Sequence, residues 1–137
     1  MKRRILLIDS DWQLLNYAYS ALRKAGYDVI AESDSAGALH LIRTWKPNIA
    51  ICPVGLLEKW QREVSDFDEI LPGTSRLITA HADESAQVWQ GLAACGHEIL
   101  LKPVTHYLQL HTAIESALRA AEIASSSADH TNSPIRS

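Results

Sequence analysis

Four short apolar runs punctuate the chain: Arg4-Ile-Leu-Leu-Ile8, Asn48-Ile-Ala-Ile-Cys52, Arg76-Leu-Ile-Thr79 and Glu98-Ile-Leu-Leu101. Each ends at a polar group, a proline or both, and runs of that length read as buried strands. Between them apolar residues recur three and four positions apart, as at Leu15, Ala18 and Leu22 or at Trp60, Val64, Phe67 and Leu71. That spacing puts an apolar stripe on one face of a helix. Strands apolar throughout and alternating with helices predict a parallel sheet covered on both faces, an α/β doubly wound fold. In such sheets chemistry gathers at the carboxyl ends of the strands, near the point where strand order reverses. Here those ends carry Asp9-Ser10-Asp11, Pro53, Thr79-Ala80 and Lys102-Pro103.

This order of residues resembles the receiver domain of bacterial response regulators, the CheY-like fold, over residues 3 to 121. The family carries an acidic pair after the first strand, a phosphoacceptor aspartate after the third, Ser or Thr after the fourth, and Lys-Pro after the fifth. Gly26-Tyr27-Asp28-Val29 and Ala38-Leu39 resemble the approach to its second strand and its second helix. The resemblance implies a CheY-like (flavodoxin-like) five-stranded parallel sheet of order 2-1-3-4-5 with five helices.

Position by position, Asp9 matches the first acid of the pair, and Ser10 stands where the second would be. Pro47-Asn48 resembles the Pro-Asp that opens the third strand, and counting from it places the phosphoacceptor on Pro53, which has no nucleophile. Thr79 matches the hydroxyl residue that turns toward the phosphoryl group, and Lys102 the lysine that pairs with its oxygens. The aromatic switch residue corresponds to Ile99. The resemblance also implies a cis peptide bond at Lys102-Pro103, against a general frequency of about 5–6% for X-Pro.

Phosphoryl transfer to a carboxylate needs an oxygen nucleophile, a divalent cation and fixed cations for the equatorial oxygens. The chain keeps only the last. Magnesium is held by carboxylates, waters and phosphate oxygens, so Asp9 with Asp11 nearby predicts weak binding or none, and no other cofactor is implied. Cys52 is no substitute nucleophile, because alternation along the strand aims it away from the side Pro53 faces. Ser10 has no base beside it. A lysine at the rim of a buried site needs a partner, and Asp9 is the candidate: a direct Lys102 to Asp9 ion pair is expected to close the vestigial pocket.

A length of 137 residues suits one domain with a substantial core, and an apolar fraction of 47% is ordinary for a globular protein. The net charge of −3 gives no electrostatic case for nucleic-acid binding. Lys2-Arg3-Arg4 flanks the first strand, and only Ile5 to Ile8 are apolar before Asp9, too short a run for a signal peptide. Nothing approaches the roughly 20 apolar residues of a membrane span. Cys52 and Cys95 are too few for a disulfide framework, and a cytoplasmic location follows. Six histidines raise a metal reading, but His106 and His111 diverge by about 140 degrees around a helix, which argues against zinc. His81 falls in a solvated loop.

A module without chemistry acts by contact. In receivers the face of the fourth helix, fifth strand and fifth helix commonly binds partners, and here it includes Trp89, His97, His106, Tyr107 and Leu110; Trp and Tyr are enriched at interface hot spots. Trp89 packing on the sheet is the competing reading. Trp12, at the mouth of the would-be phosphate pocket, either lids it or packs on the first helix. The receiver-like domain is expected over 1–124, followed by a disordered tail over 125–137, which is nearly free of apolar residues.

Three functions compete. One is a phosphorylation-independent receiver-like interaction module of two-component signalling, with a histidine kinase, phosphotransfer protein or other regulator as partner, or a second copy of itself. Another is a receiver switched by a ligand or metal in the pocket of Asp9, Thr79 and Lys102. The last is an unrelated flavodoxin-like small-molecule-binding protein, against which the two carboxylates of Asp9-Ser10-Asp11 count, since they repel phosphate.

Overall fold

The computed structural model describes residues 2–63, 74–95 and 98–131, with the backbone alone for 61–63, 92–95 and 121–131. The elements in chain order are β1 (Arg4–Ile8), α1 (Trp12–Lys24), β2 (Asp28–Glu32), α2 (Ser35–Trp45), β3 (Ile49–Pro53), α3 (Val54–Glu63), β4 (Ser75–His81), α4 (Ala86–Cys95), β5 (Glu98–Lys102) and α5 (Tyr107–Thr131). All strand pairs are parallel, and the sheet order is β2-β1-β3-β4-β5. This is the doubly wound α/β architecture the periodicity predicts.

Period-two alternation sends the two sides of each strand into separate apolar clusters. Ile5, Leu7, Ile49, Ile51 and Leu77 join Leu15, Ala18 and Leu22 of α1 and Leu110, Ile114 and Leu118 of α5. Leu6, Ile8, Ala50, Cys52 and Ile78 join Ala38 and Ile42 of α2 and Leu57 and Trp60 of α3. Burying both faces is what makes the run in β1 continuous rather than alternating. β2, at one sheet edge, reads differently: Asp28 and Glu32 bracket it, and only Val29 is buried.

The helix ends are set locally. The Asp11 carboxylate accepts from the Gln13 and Leu14 amides and caps α1, and Asp34 caps α2 through the Gly37 amide. After α1 the chain turns at Gly26, whose φ of 102° suits glycine. α2 stops at Lys46, left-handed at φ 52°, with Pro47 following.

The stripe continued at Val64, Phe67 and Leu71 lies outside the described residues. The tail boundary at Ala124 differs from the structure, where α5 runs on through Thr131; residues 120–131 contain no Gly or Pro, so nothing in the backbone stops the helix.

Candidate functional site

Four strand ends converge on one rim of the sheet. Asp9 follows β1 and is 5% exposed. Its backbone amide donates to the Glu32 carbonyl at 3.3 Å, and its Oδ1 accepts from the Asp11 amide at 3.0 Å. Its other oxygen, Oδ2, accepts from Lys102 Nζ at 2.5 Å, and the lysine side chain is 11% exposed. The direct ion pair expected from the sequence is therefore present. Two charges this far out of water hold each other in place, because neither retains enough solvent to stand alone.

Pro53 closes β3 and sits opposite Thr79 of β4 in the strand register. The ring offers no oxygen to this rim, and Thr79, 2% exposed, has a buried Oγ1 without a hydrogen-bond partner among the described residues. Ser10 is exposed in the bend between β1 and α1. Asp11 is committed to capping α1, so its carboxylate faces the helix amides. Among the described residues no group of three His, Cys, Asp or Glu side chains could hold a metal ion. The Lys102–Pro103 peptide bond is cis.

Cys52, one residue before Pro53, is fully buried on the opposite side of the sheet, in the cluster with Trp60. Burial, with a smaller push from Asp9, raises its thiol from 9.0 to about 12, so it stays protonated at neutral pH. That removes it as a nucleophile.

The expected contact face separates into different environments. Trp89 is half-buried and packs with Val88 and Ile99 against the cluster beneath α3, so it acts in part as core. His106 is exposed, and its amide is capped by Gln109 Oε1 at 3.1 Å. Tyr107 is half-buried with its ring 5.8 Å from that of His111, and burial raises its hydroxyl above its ordinary value. Leu110 corrects the expectation: at 1% exposed it lies in the core, because it heads the buried stripe Leu110, Ile114, Ala117 and Leu118. Among the described residues the exposed large apolar side chains of this face are Leu101 and Leu108, which the sequence reading did not name. Leu108 falls off the 110-114-117-118 stripe, and that offset was the available signal. His97 lies outside the described residues, as does the side chain of Cys95. His81 is the exposed last residue of β4 rather than a loop residue. Trp12 opens α1, is 64% exposed and lines a groove between α1 and β2.

No family model matches the chain. It is 28% identical over 134 residues to the alkaline phosphatase synthesis transcriptional regulatory protein PhoP of Bacillus subtilis, an alignment that covers 96% of this chain and 55% of PhoP. It superposes on a CheY-like response regulator receiver domain from Methanospirillum hungatei JF-1 with a TM-score of 0.70 at 22% identity, covering 89% of this chain and 98% of that one. The fold is that of a response-regulator receiver domain. A receiver protein from Sinorhizobium medicae WSM419 gives a TM-score of 0.66 at 24% identity, covering 88% of this chain and 97% of the other. The receiver-like chain spans about half the length of the curated relatives it matches. Among the described residues no helix is long and apolar enough to cross a membrane.

Proposed function

We propose that this receiver-like domain serves two-component signalling through protein contact, without phosphorylation at the end of β3 and without catalytic activity of its own. The observation that supports this reading is Pro53 at the strand end where a receiver would present its phosphoacceptor, with the would-be phosphate-binding lysine already ion-paired to Asp9. An aspartyl phosphate requires a carboxylate oxygen, and neither the proline ring nor the buried thiol of Cys52 provides one. Nor does the donor set suit magnesium: Asp9 is neutralised by Lys102, Asp11 caps a helix, and Ser10 replaces a carboxylate. The partner under this reading is a histidine kinase, a phosphotransfer protein or another regulator, met in the cytoplasm. Incubation with acetyl phosphate and magnesium followed by intact-mass measurement tests it. An unmodified chain is the expected result, and a phosphoryl adduct on the wild type overturns the reading.

One observation favours a second reading, a domain switched by a small ligand. Among the described residues Thr79 Oγ1 is buried without a partner next to Pro53, and an unsatisfied buried hydroxyl is costly unless something bonds it in a working state. Small-anion binding that disappears in Thr79→Val and Lys102→Ala supports this reading, and binding indifferent to both removes it.

A further inference from the structure

β2 is an edge strand, and among the described residues nothing lies beyond it in the sheet order. The Asp28 amide donates to the Arg3 carbonyl and the Glu32 carbonyl accepts from Asp9. Alternation along a parallel ladder therefore turns residues 28, 30 and 32 toward β1 and leaves the N–H and C=O groups of Val29 and Ala31 pointing to the open side. Beside that edge lies a groove of about 400 Å³, walled by Trp12, Leu15, Asn16 and Tyr19 of α1 and floored by residues 29–31. An open edge beside apolar walls is a site for strand addition.

The charges along the edge indicate what adds. At its lower end, on the α2 side of the sheet, Lys2, Arg4, Lys46, Asn48 and Asp28 line a notch of about 420 Å³, three cations to one carboxylate. Arg4 is fixed there by its bond to the Trp45 carbonyl and its place over the Trp45 ring. Acidic Glu32 and Asp34 mark the upper end. The two ends of one edge thus carry opposite charge.

We propose that this edge joins two copies of the chain, β2 against β2, antiparallel about a two-fold axis through Ile30. In that register the open groups of Val29 meet those of Ala31 in the second copy, and Ile30 meets Ile30. Residues facing each other across antiparallel strands project to the same side, so Glu32 of the second copy arrives opposite Asp28, at the mouth of the basic notch. Asp28 alone would repel it, but the three cations outnumber Asp28. The two-fold repeats this contact at the other end, as a closed isologous interface requires. It also carries the exposed Trp12 end of one α1 toward the Tyr19 end of the other, over the joined grooves.

Sedimentation velocity across a concentration series tests the proposal. The wild type is expected to dimerise as concentration rises. Ala31→Pro removes an outward amide that bonds nothing within its own sheet, so the variant is expected to remain monomeric. Glu32→Lys and Lys46→Glu are each expected to weaken the dimer about tenfold, as reversing two symmetry-related charge contacts implies. The double exchange Glu32→Lys/Lys46→Glu restores attraction and is expected to recover most of the affinity, which keeps the test decisive if Ala31→Pro fails to fold. A chain monomeric throughout overturns the proposal and leaves the edge to a strand from a different protein. A dimer indifferent to all of these changes, or not rescued by the exchange, places the interface elsewhere and overturns it too.

Discussion

Lys102 Nζ stands 2.5 Å from Asp9 Oδ2, although their strands β5 and β1 lie on either side of β3 and β4 in the sheet. The pairing follows from what lies between them. Pro53, at the end of β3, has no carboxylate to compete for the ammonium, so the lysine and the remaining acid neutralise each other.

Breaking this pair from one side strands a buried charge. Lys102→Met is expected to lower unfolding free energy by about 3–5 kcal/mol, the range for buried ion pairs that lose one partner. Combining it with Asp9→Leu is expected to cost less than the two single changes summed. Urea denaturation of the two single variants and the double variant checks both statements, and full additivity would show that the groups do not act as a pair.

Thr79 leads to the opposite sign. Its Oγ1 is buried without a partner among the described residues, so Thr79→Val removes an unsatisfied polar group while keeping the branched shape. Thermal unfolding of purified protein is expected to show a gain of about 1 kcal/mol. A loss would mean that the hydroxyl is bonded in solution.

Leu108 and Leu110 are two residues apart on α5 and occupy opposite environments, 71% and 1% exposed. Leu110→Ala is expected to cost about 2–5 kcal/mol through lost burial and the cavity left behind. Leu108→Ala is expected to stay within about 0.5 kcal/mol. If Leu108 contributes to a partner surface, its substitution changes association while leaving the denaturation curve in place.

Alkaline pH should weaken the fold through Cys52. The thiol is raised from 9.0 to about 12 in the folded state, so the protonated form is the one that folding favours. Its contribution is complete below the unfolded value and is lost as pH rises from about 9 through about 12. Tyr27, raised by burial and by its hydrogen bond to Glu115, acts in the same direction above its ordinary value of 10.0. Denaturation midpoints between about pH 8 and about pH 11 are expected to fall, and Cys52→Ala to flatten the fall without abolishing it. In the native protein Cys52 is also expected to resist a thiol reagent at neutral pH until denaturation, read by mass spectrometry of the Cys52 peptide.

Four of the five strands were legible in the sequence because each carries a continuous apolar run: β1, β3 and β4 bury both faces, and β5 keeps its run although it is an edge strand with Leu101 exposed. β2 gave a weaker signal, since Asp28 and Glu32 bracket it and an edge strand need not be apolar throughout. Asp9, Thr79 and Lys102 were legible as strand-end residues because the apolar runs stop at them, and as members of one site only through the resemblance to receiver domains. Leu110 was misassigned for a different reason: the sequence reading did not fix which face of α5 turned inward, and a shift of two residues separates a core leucine from an exposed one.

By itself, then, the sequence determined the layer architecture, the parallel sheet and the absence of a carboxylate at Pro53, because these depend on local periodicity and on residue identity. The sequence named Asp9 as the candidate partner of Lys102, and the tertiary structure put the two in contact across 93 residues of chain; only the tertiary structure decided that Thr79 lies opposite Pro53 with its hydroxyl unsatisfied among the described residues, and that the edge of β2 stands open beside Trp12. Those facts depend on strand order and register, and a chain acquires them only when distant segments pack against one another.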